Sequence, residues 1–186
     1  MRIIGGKNKG KKINIPIDKN TRPLRDMVKE SIFNLIEHTK KFNITISNSN
    51  ILDLFSGTGS FGLECFSRGA QNITFVEEYE GILKILKKNI SSIGANENCQ
   101  IIEKNCFDYL ESENKFHNKF DIIFLDPPYK EEKIDLLIEK VKKNKILTDS
   151  GVIIVHRHKK DDVNIEDKLN ILESRNYGIS KILFGN

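Results

Sequence analysis

A mostly parallel α/β fold with helices on both faces of one sheet follows from three features of this sequence. Past Asn50, short apolar runs alternate with helical stretches in four consecutive strand–helix units. That order requires crossover connections, and crossovers make neighbouring strands parallel. A glycine-rich loop, Asp53-Leu-Phe-Ser-Gly-Thr-Gly-Ser-Phe-Gly62, separates the first strand of the series from its helix. The length of 186 residues suits one domain, or one domain with a small appendage, and buries a full core without disulfide or metal staples.

The elements justify themselves in order. Arg2–Gly5 and Lys12–Ile15 are spaced to pair as a hairpin around a Gly/Lys turn. Pro23 suits the first turn of a helix, and Met27, Ile32, Phe33, Leu35 and Ile36 recur at helical spacing, which predicts a helix over 23–39. Polar residues 43–50 link this extension, residues 1–42, to a body of residues 43–186. In the body, strands are expected at 51–54, 73–76, 100–102, 120–125 and 151–155, with helices at 62–68, 81–93, 107–110 and 134–142. Segments 169–173 and 178–184 flank Asn176-Tyr-Gly178 and read as a closing hairpin.

Composition narrows the function classes. The chain is 38% hydrophobic and 30% charged, the balance of an ordinary globular protein. Ile122–Leu125 and Val152–Val155 are its longest apolar runs, far below the roughly 18 residues of a membrane span. The start, MRIIGGK, lacks an apolar signal core, so a cytoplasmic protein is expected. Cys65, Cys99 and Cys106 lack CxxC spacing and read as buried, inert thiols in a reducing compartment. The net charge of +4 divides unevenly: residues 1–41 carry +7 and the remainder −3. A basic arm on a slightly acidic body points to a phosphate-rich partner, and Lys7, Lys9, Lys11 and Lys12 form its densest part.

The glycine loop points to a nucleoside cofactor. GxGxxG between a strand and a helix lets a ligand approach the backbone closely. Glu77 ends the second strand, 20 residues after Gly57, where an acid can bind a ribose diol. An anionic Asp53 beside the loop repels the phosphates of a dinucleotide. It attracts the sulfonium and ammonium of S-adenosylmethionine, which therefore fits better, with S-adenosylhomocysteine as product.

The fourth strand runs into Asp126-Pro127-Pro128-Tyr129. Two prolines fix the backbone and remove two donors, leaving carbonyls that only accept. An aromatic ring follows. The slot suits a flat heterocycle bearing an exocyclic amine. The Asp126 carboxylate and the Pro127 carbonyl would accept its two N–H bonds and aim the nitrogen lone pair at a methyl group. Alignment then supplies much of the rate, and Asp126 takes the released proton. The base must be single-stranded or flipped.

These two segments resemble motifs I and IV of class I, S-adenosylmethionine-dependent amino methyltransferases. Met1-Arg-Ile-Ile-Gly-Gly-Lys7, Thr21-Arg-Pro23 with Val28-Lys-Glu30 and Phe33-Asn34, and Leu63-Glu64 with Ser67-Arg-Gly-Ala70 narrow the likeness. Together they resemble the RsmD family, bacterial 16S rRNA guanine-N2 methyltransferases, over residues 1–155. The resemblance implies a Rossmann-like class I methyltransferase: a mostly parallel seven-stranded sheet with helices on both faces, plus a small basic hairpin and helix at the N-terminus. It implies catalytic roles for Asp126, Pro127, Pro128 and Tyr129. Cofactor contacts would come from Asp53, Phe55, Gly57, Gly59, Gly62, Glu77, Asn105, Cys106 and Arg22. Asn105 would meet the adenine ring, and Asn89 would be structural. Arg2, Lys7, Lys9, Lys11, Lys12 and Arg25 would contact 16S rRNA in the small subunit or an assembly intermediate, with the enzyme a monomer and no metal involved.

Other readings use the same residues. Adenine N6 fits the slot but calls for a target-recognition insert that this chain is too short to hold. Glutamine methylation favours Asn at position 126. A non-catalytic RNA-binding assembly factor has no use for an intact Asp126-Pro127-Tyr129. The fifth strand ends Val155-His156-Arg157-His158, where the resemblance implies an acid. These histidines are expected to be exposed, and without acidic or Cys partners nearby they make no metal site.

Overall fold

Apolar alternation in the strands decides the architecture. A computed structural model of the chain describes residues 1–16, 24–39, 41–111, 116, 118–128, 130–161, 165 and 167–186. Its strands are β1 (Asn50–Leu54), β2 (Asn72–Val76), β3 (Cys99–Ile102), β4 (Phe120–Leu125), β5 (Leu147–His158), β6 (Ile171–Tyr177) and β7 (Ser180–Gly185). They form one sheet in the order β3-β2-β1-β4-β5-β7-β6. The β3–β2, β2–β1, β1–β4 and β4–β5 pairs are parallel, while β7 runs antiparallel to both β5 and β6. The helices are α1 (Asp26–His38), α2 (Ser60–Ser67), α3 (Glu80–Ile93), α4 (Cys106–Glu111) and α5 (Ile134–Lys143).

Period-two side-chain direction sorts the core into two faces. Ile51, Ile73, Phe75, Ile122, Phe124, Val152, Ile154, Ile182 and Phe184 pack with α1, α2 and α3. Leu52, Leu54, Val76, Ile123, Leu125, Ile153, Val155 and Leu183 pack with α4 and α5. Strand order reverses direction between β1 and β4, and in open α/β sheets ligands bind at the carboxyl ends of the strands flanking such a switch. Both sequence motifs sit there: the glycine loop leaves β1 and the Asp-Pro-Pro turn leaves β4.

The N-terminal extension joins the first face. Ile3, Ile13, Val28, Ile32, Phe33 and Ile36 are buried in the same cluster as the strands. Phe33 stacks on Phe61 of α2 with ring centroids 5.3 Å apart, and Phe61 stacks on Phe124 of β4 at 4.0 Å. The hairpin is rudimentary: Arg2 and Lys12 form one antiparallel bridge, flanked by Ile3 N–H donating to the Lys11 carbonyl and Ile13 N–H to that of Met1.

A buried ion cluster docks this hairpin on α2. The side chains of Lys29 and Glu64 are fully buried, with Lys29 Nζ 3.4 Å from Glu64 Oε2. Lys29 donates to the Arg2 carbonyl (2.7 Å) and to Ser60 Oγ (3.3 Å). Glu64 accepts the Ile4 and Gly5 N–H groups at 2.8 and 2.7 Å and Arg68 Nε at 3.0 Å. Burial lowers the Lys29 pKa below the ordinary lysine value, with Glu64 opposing. Gly6 is required here, because its φ is 69° and an added Cβ would stand 1.9 Å from the Ser67 carbonyl oxygen.

The fifth strand departs from expectation. It spans twelve residues, Leu147–His158, rather than 151–155. Its polar end is ordered by antiparallel pairing with β7, where His156 lies opposite Ile182 and His158 opposite Ser180. A strand held by a distant partner needs no apolar run of its own. The N-terminal helix begins at Asp26, and the Thr21-Arg-Pro23 segment lies outside the described residues.

Candidate active site

The loop after β1 turns sharply. Phe55 takes a left-handed φ of 59°, a strained conformation for a residue with a Cβ and one that gathers at ligand sites. Gly59 is also left-handed, at φ 79°, and caps α2. Gly62 faces β2 so closely that an added Cβ would stand 2.4 Å from the Phe75 ring. Asp53 lies beneath the loop, 1% exposed, and accepts the Gly62 N–H at 3.0 Å. Burial pushes its carboxyl well above the usual carboxylate range; the Gly62 N–H opposes this, and nearby Asp126 and Glu77 reinforce it. Asp53 thus steadies the loop from behind.

Glu77 closes the loop from β2. Its Oε2 accepts the Gly57 N–H at 2.8 Å, and its Oε1 accepts those of Glu78 and Tyr79 at 3.0 and 2.9 Å. Two carboxylate oxygens offer about four acceptor sites, so capacity for a ribose hydroxyl remains. Asn105 starts α4: its Oδ1 accepts the Phe107 N–H at 2.8 Å and its Nδ2 donates to Glu78 Oε1 at 3.0 Å. Cys106 is buried beside it, and burial drives its thiol far up. Cys65 is buried and driven up in the same way; Cys99, expected to be buried, is only half-buried at the edge strand β3, and its thiol is pushed up to about 12. Ser56 Oγ, in the glycine loop, is buried with no partner.

Asp126 leaves β4 half-buried, Pro127 is buried and Pro128 is exposed. The Pro128 carbonyl is engaged by the Glu131 N–H (2.9 Å) and by Arg157 (3.3 Å), so Pro128 braces the turn. Arg157 is itself buried, and also donates to the Glu131 carbonyl (2.9 Å) and to Asp161. His156 overturns its expected exposure. It is 4% exposed, with Nδ1 2.7 Å from Asp126 Oδ1 and Nε2 2.9 Å from Ser180 Oγ. The sequence-based reading missed it because the β5–β7 register that carries His156 to Asp126 joins segments about 25 residues apart. A polar residue in strand phase with Val152 and Ile154 was the available signal.

The site's chemistry fits S-adenosylmethionine. Glu77 and Asp126, both half-buried at the rim of the loop, give a carboxylate-lined site that suits a cationic donor and opposes pyrophosphate. Ser56 Oγ adds a polar group awaiting a partner. Arg22 and Tyr129 lie outside the described residues. Arg2, Lys7, Lys9, Lys11, Lys12 and Arg25 are all exposed. Lys7 stands 3.8 Å over the Phe66 ring, which fixes the basic hairpin beside α2. Asn89, expected to be structural, is fully buried and ties the hairpin to the glycine loop: its Nδ2 donates to the Asn14 and Thr58 carbonyls, both at 3.0 Å.

Known proteins resemble this chain in sequence and in fold. The chain is 32% identical over 185 residues to the ribosomal RNA small subunit methyltransferase D of Haemophilus influenzae, covering 96% of this chain and 90% of that one. It is 32% identical over 155 residues to the Escherichia coli protein of the same name, covering 83% and 73%. A solved Escherichia coli structure titled "Putative methyltransferase yhhF" superposes with a TM-score of 0.83 at 25% identity, covering 99% of this chain and 96% of that one. The fold is therefore the Rossmann-like class I methyltransferase fold, and the enzyme is a methyltransferase. The family described as Conserved hypothetical protein 95 matches residues 1–186, and this chain belongs to it.

Proposed function

We propose that this protein transfers a methyl group from S-adenosylmethionine to the exocyclic N2 of one guanine in 16S rRNA of the small ribosomal subunit. The observation that carries the reading is the position of Asp126 and Pro127 at the end of β4, beside the glycine loop of β1 that Glu77 closes. The names of the relatives support the rRNA substrate. When bound, the cofactor supplies a methyl group on a cationic sulfur, whose bonding pair stays on sulfur as a neutral thioether. The protein's task is alignment. The Asp126 carboxylate and the Pro127 carbonyl each accept one amine N–H, which turns the nitrogen lone pair out of the ring. As the N–C bond forms, one N–H proton passes to Asp126. Tyr129 is assigned the stacking face, worth about 1–3 kcal/mol per base. Glu77 is assigned the ribose and Asn105 the adenine, with Asp53 and the three glycines shaping the loop. Arg22 is assigned a place near the methyl donor.

The basic residues Arg2, Lys7, Lys9, Lys11, Lys12 and Arg25 supply the phosphate contacts, with residues 1–42 the RNA-contacting unit. The enzyme works as a cytoplasmic monomer on a subunit particle or assembly intermediate. No helix among the described residues is long and apolar enough to cross a membrane.

Transfer of labelled methyl to small-subunit particles, followed by nucleoside analysis, tests the reading. N2-methylguanosine is expected from the parent. Asp126→Ala should lose transfer by at least about 100-fold with cofactor affinity nearly unchanged. N6-methyladenosine as product overturns the substrate; a large loss of cofactor binding in the variant overturns the role of Asp126.

A further inference from the structure

The site contains a second polar layer that the slot chemistry does not use. Asp126 Oδ1 faces His156 Nδ1 at 2.7 Å, and His156 Nε2 faces Ser180 Oγ at 2.9 Å. His156 and Ser180 are 4% and 2% exposed, whereas the Asp126 side chain retains 22% exposure. The chain of contacts thus runs from the core outward and ends on a carboxylate that reaches solvent. His156 and Ser180 belong to β5 and β7, whose antiparallel register fixes where the ring stands.

We infer that His156 is the positioning residue for Asp126, holding its carboxylate so that Oδ2 receives the substrate amine. The inference rests on the slot reading and deepens it. A carboxylate oxygen accepts, so the hydrogen between the pair sits on His156 Nδ1, which donates to Oδ1. A hydrogen bond to a charged group is short and directional, and this one fixes the rotation of the carboxylate. Ser180 at the opposite nitrogen keeps the ring from swinging away. Among the described residues none donates to Oδ2, which leaves that oxygen for the incoming N–H. Proline at 127 fixes the backbone beside Asp126, and His156 fixes the side chain. The two constraints are independent and converge on one atom. An Asp with a free side chain would have to find its catalytic rotamer in each turnover, so removing the ring should fall on the chemical step and spare binding.

The test uses the full chain and the small-subunit particle. His156→Leu should lower kcat about 100-fold. Its KM values for particle and cofactor should stay within about twofold of the parent. His156→Asn, whose amide can donate from about the position of Nδ1, should recover most of the loss. In an Asp126→Ala background the leucine change should cost little further, because a residue that acts through the Asp126 carboxylate has nothing left to orient. A purely structural role predicts instead that both His156 variants lose activity alike, with additive losses; that result overturns the inference.

A second measurement does not need turnover. In the nitrogen-15 spectrum of the parent, His156 Nδ1 should carry the hydrogen, and its signal should move in Asp126→Asn. An unprotonated Nδ1 overturns the inference. Product analysis keeps the two claims apart. Should the product be N6-methyladenosine, the guanine assignment fails while the kcat effect at His156 still decides the positioning role, since either amine would occupy the same slot.

Discussion

Asp53 shows how one side chain can be read correctly for the wrong distance. Its charge suggested direct attraction of a cationic donor, yet the side chain is turned under the loop onto the Gly62 N–H. Burial holds its carboxyl well above the ordinary 3.8, so the folded state binds that proton more tightly than the unfolded chain does. The stabilising contribution is complete below pH 3.8 and is lost as pH rises through the folded value. Asp53→Asn removes the titration. In urea unfolding followed from pH 3.8 upward, the variant should gain stability relative to the parent as pH rises; parallel curves would contradict the burial. Individual residues were legible where chemistry forces a type at a fixed spacing, as at Gly62, Glu77 and Asp126. They were not legible where only the tertiary register pairs them, as with His156 and Ser180, or where a proline's carbonyl is claimed by a distant Arg157.

The strand and helix series past Asn50 was readable because most strands carry a short apolar run and α3 and α5 each bury one apolar face. β5 was cut short because its last residues, His156 to His158, depend on β7 rather than on their own polarity. The docking of the N-terminal hairpin was harder still. Lys29, Glu64 and Arg68 were visible as letters in three separate segments, but nothing in a linear chain says that they meet. Their meeting carries an energetic consequence. Glu64→Gln leaves the buried Lys29 without its counter-charge and should cost about 3–5 kcal/mol in denaturant unfolding. Lys29→Met combined with Glu64→Gln should recover part of that loss, because the glutamine oxygen still accepts from the hairpin amides. A Glu64→Gln protein as stable as the parent would show that the cluster is not closed.

Taken together, the molecule separates its two tasks in space and joins them through a few bonds. The basic hairpin lies on α2, the helix that begins at the glycine loop, and Asn89 and Lys29 connect the two directly. The proposed RNA contact and the proposed cofactor loop are therefore neighbours in the fold, although the charge is concentrated in the first 41 residues. Neutralising Lys9, Lys11 and Lys12 should weaken RNA binding and reduce the slope of log affinity against log salt by about 2–3, at roughly 0.7–0.9 per phosphate contact. An unchanged slope would remove the hairpin from the interface. The reading as a whole stands on a donor-poor acceptor edge lying next to the methyl donor. A crystal grown with S-adenosylhomocysteine tests this. The sulfur should open onto the Asp126 carboxylate and the Pro127 carbonyl, with the ribose at Glu77 and the adenine near Asn105. Density for the cofactor elsewhere, such as the cleft at the amino ends of the strands lined by Asn50, Asn72 and Asn98, would contradict it.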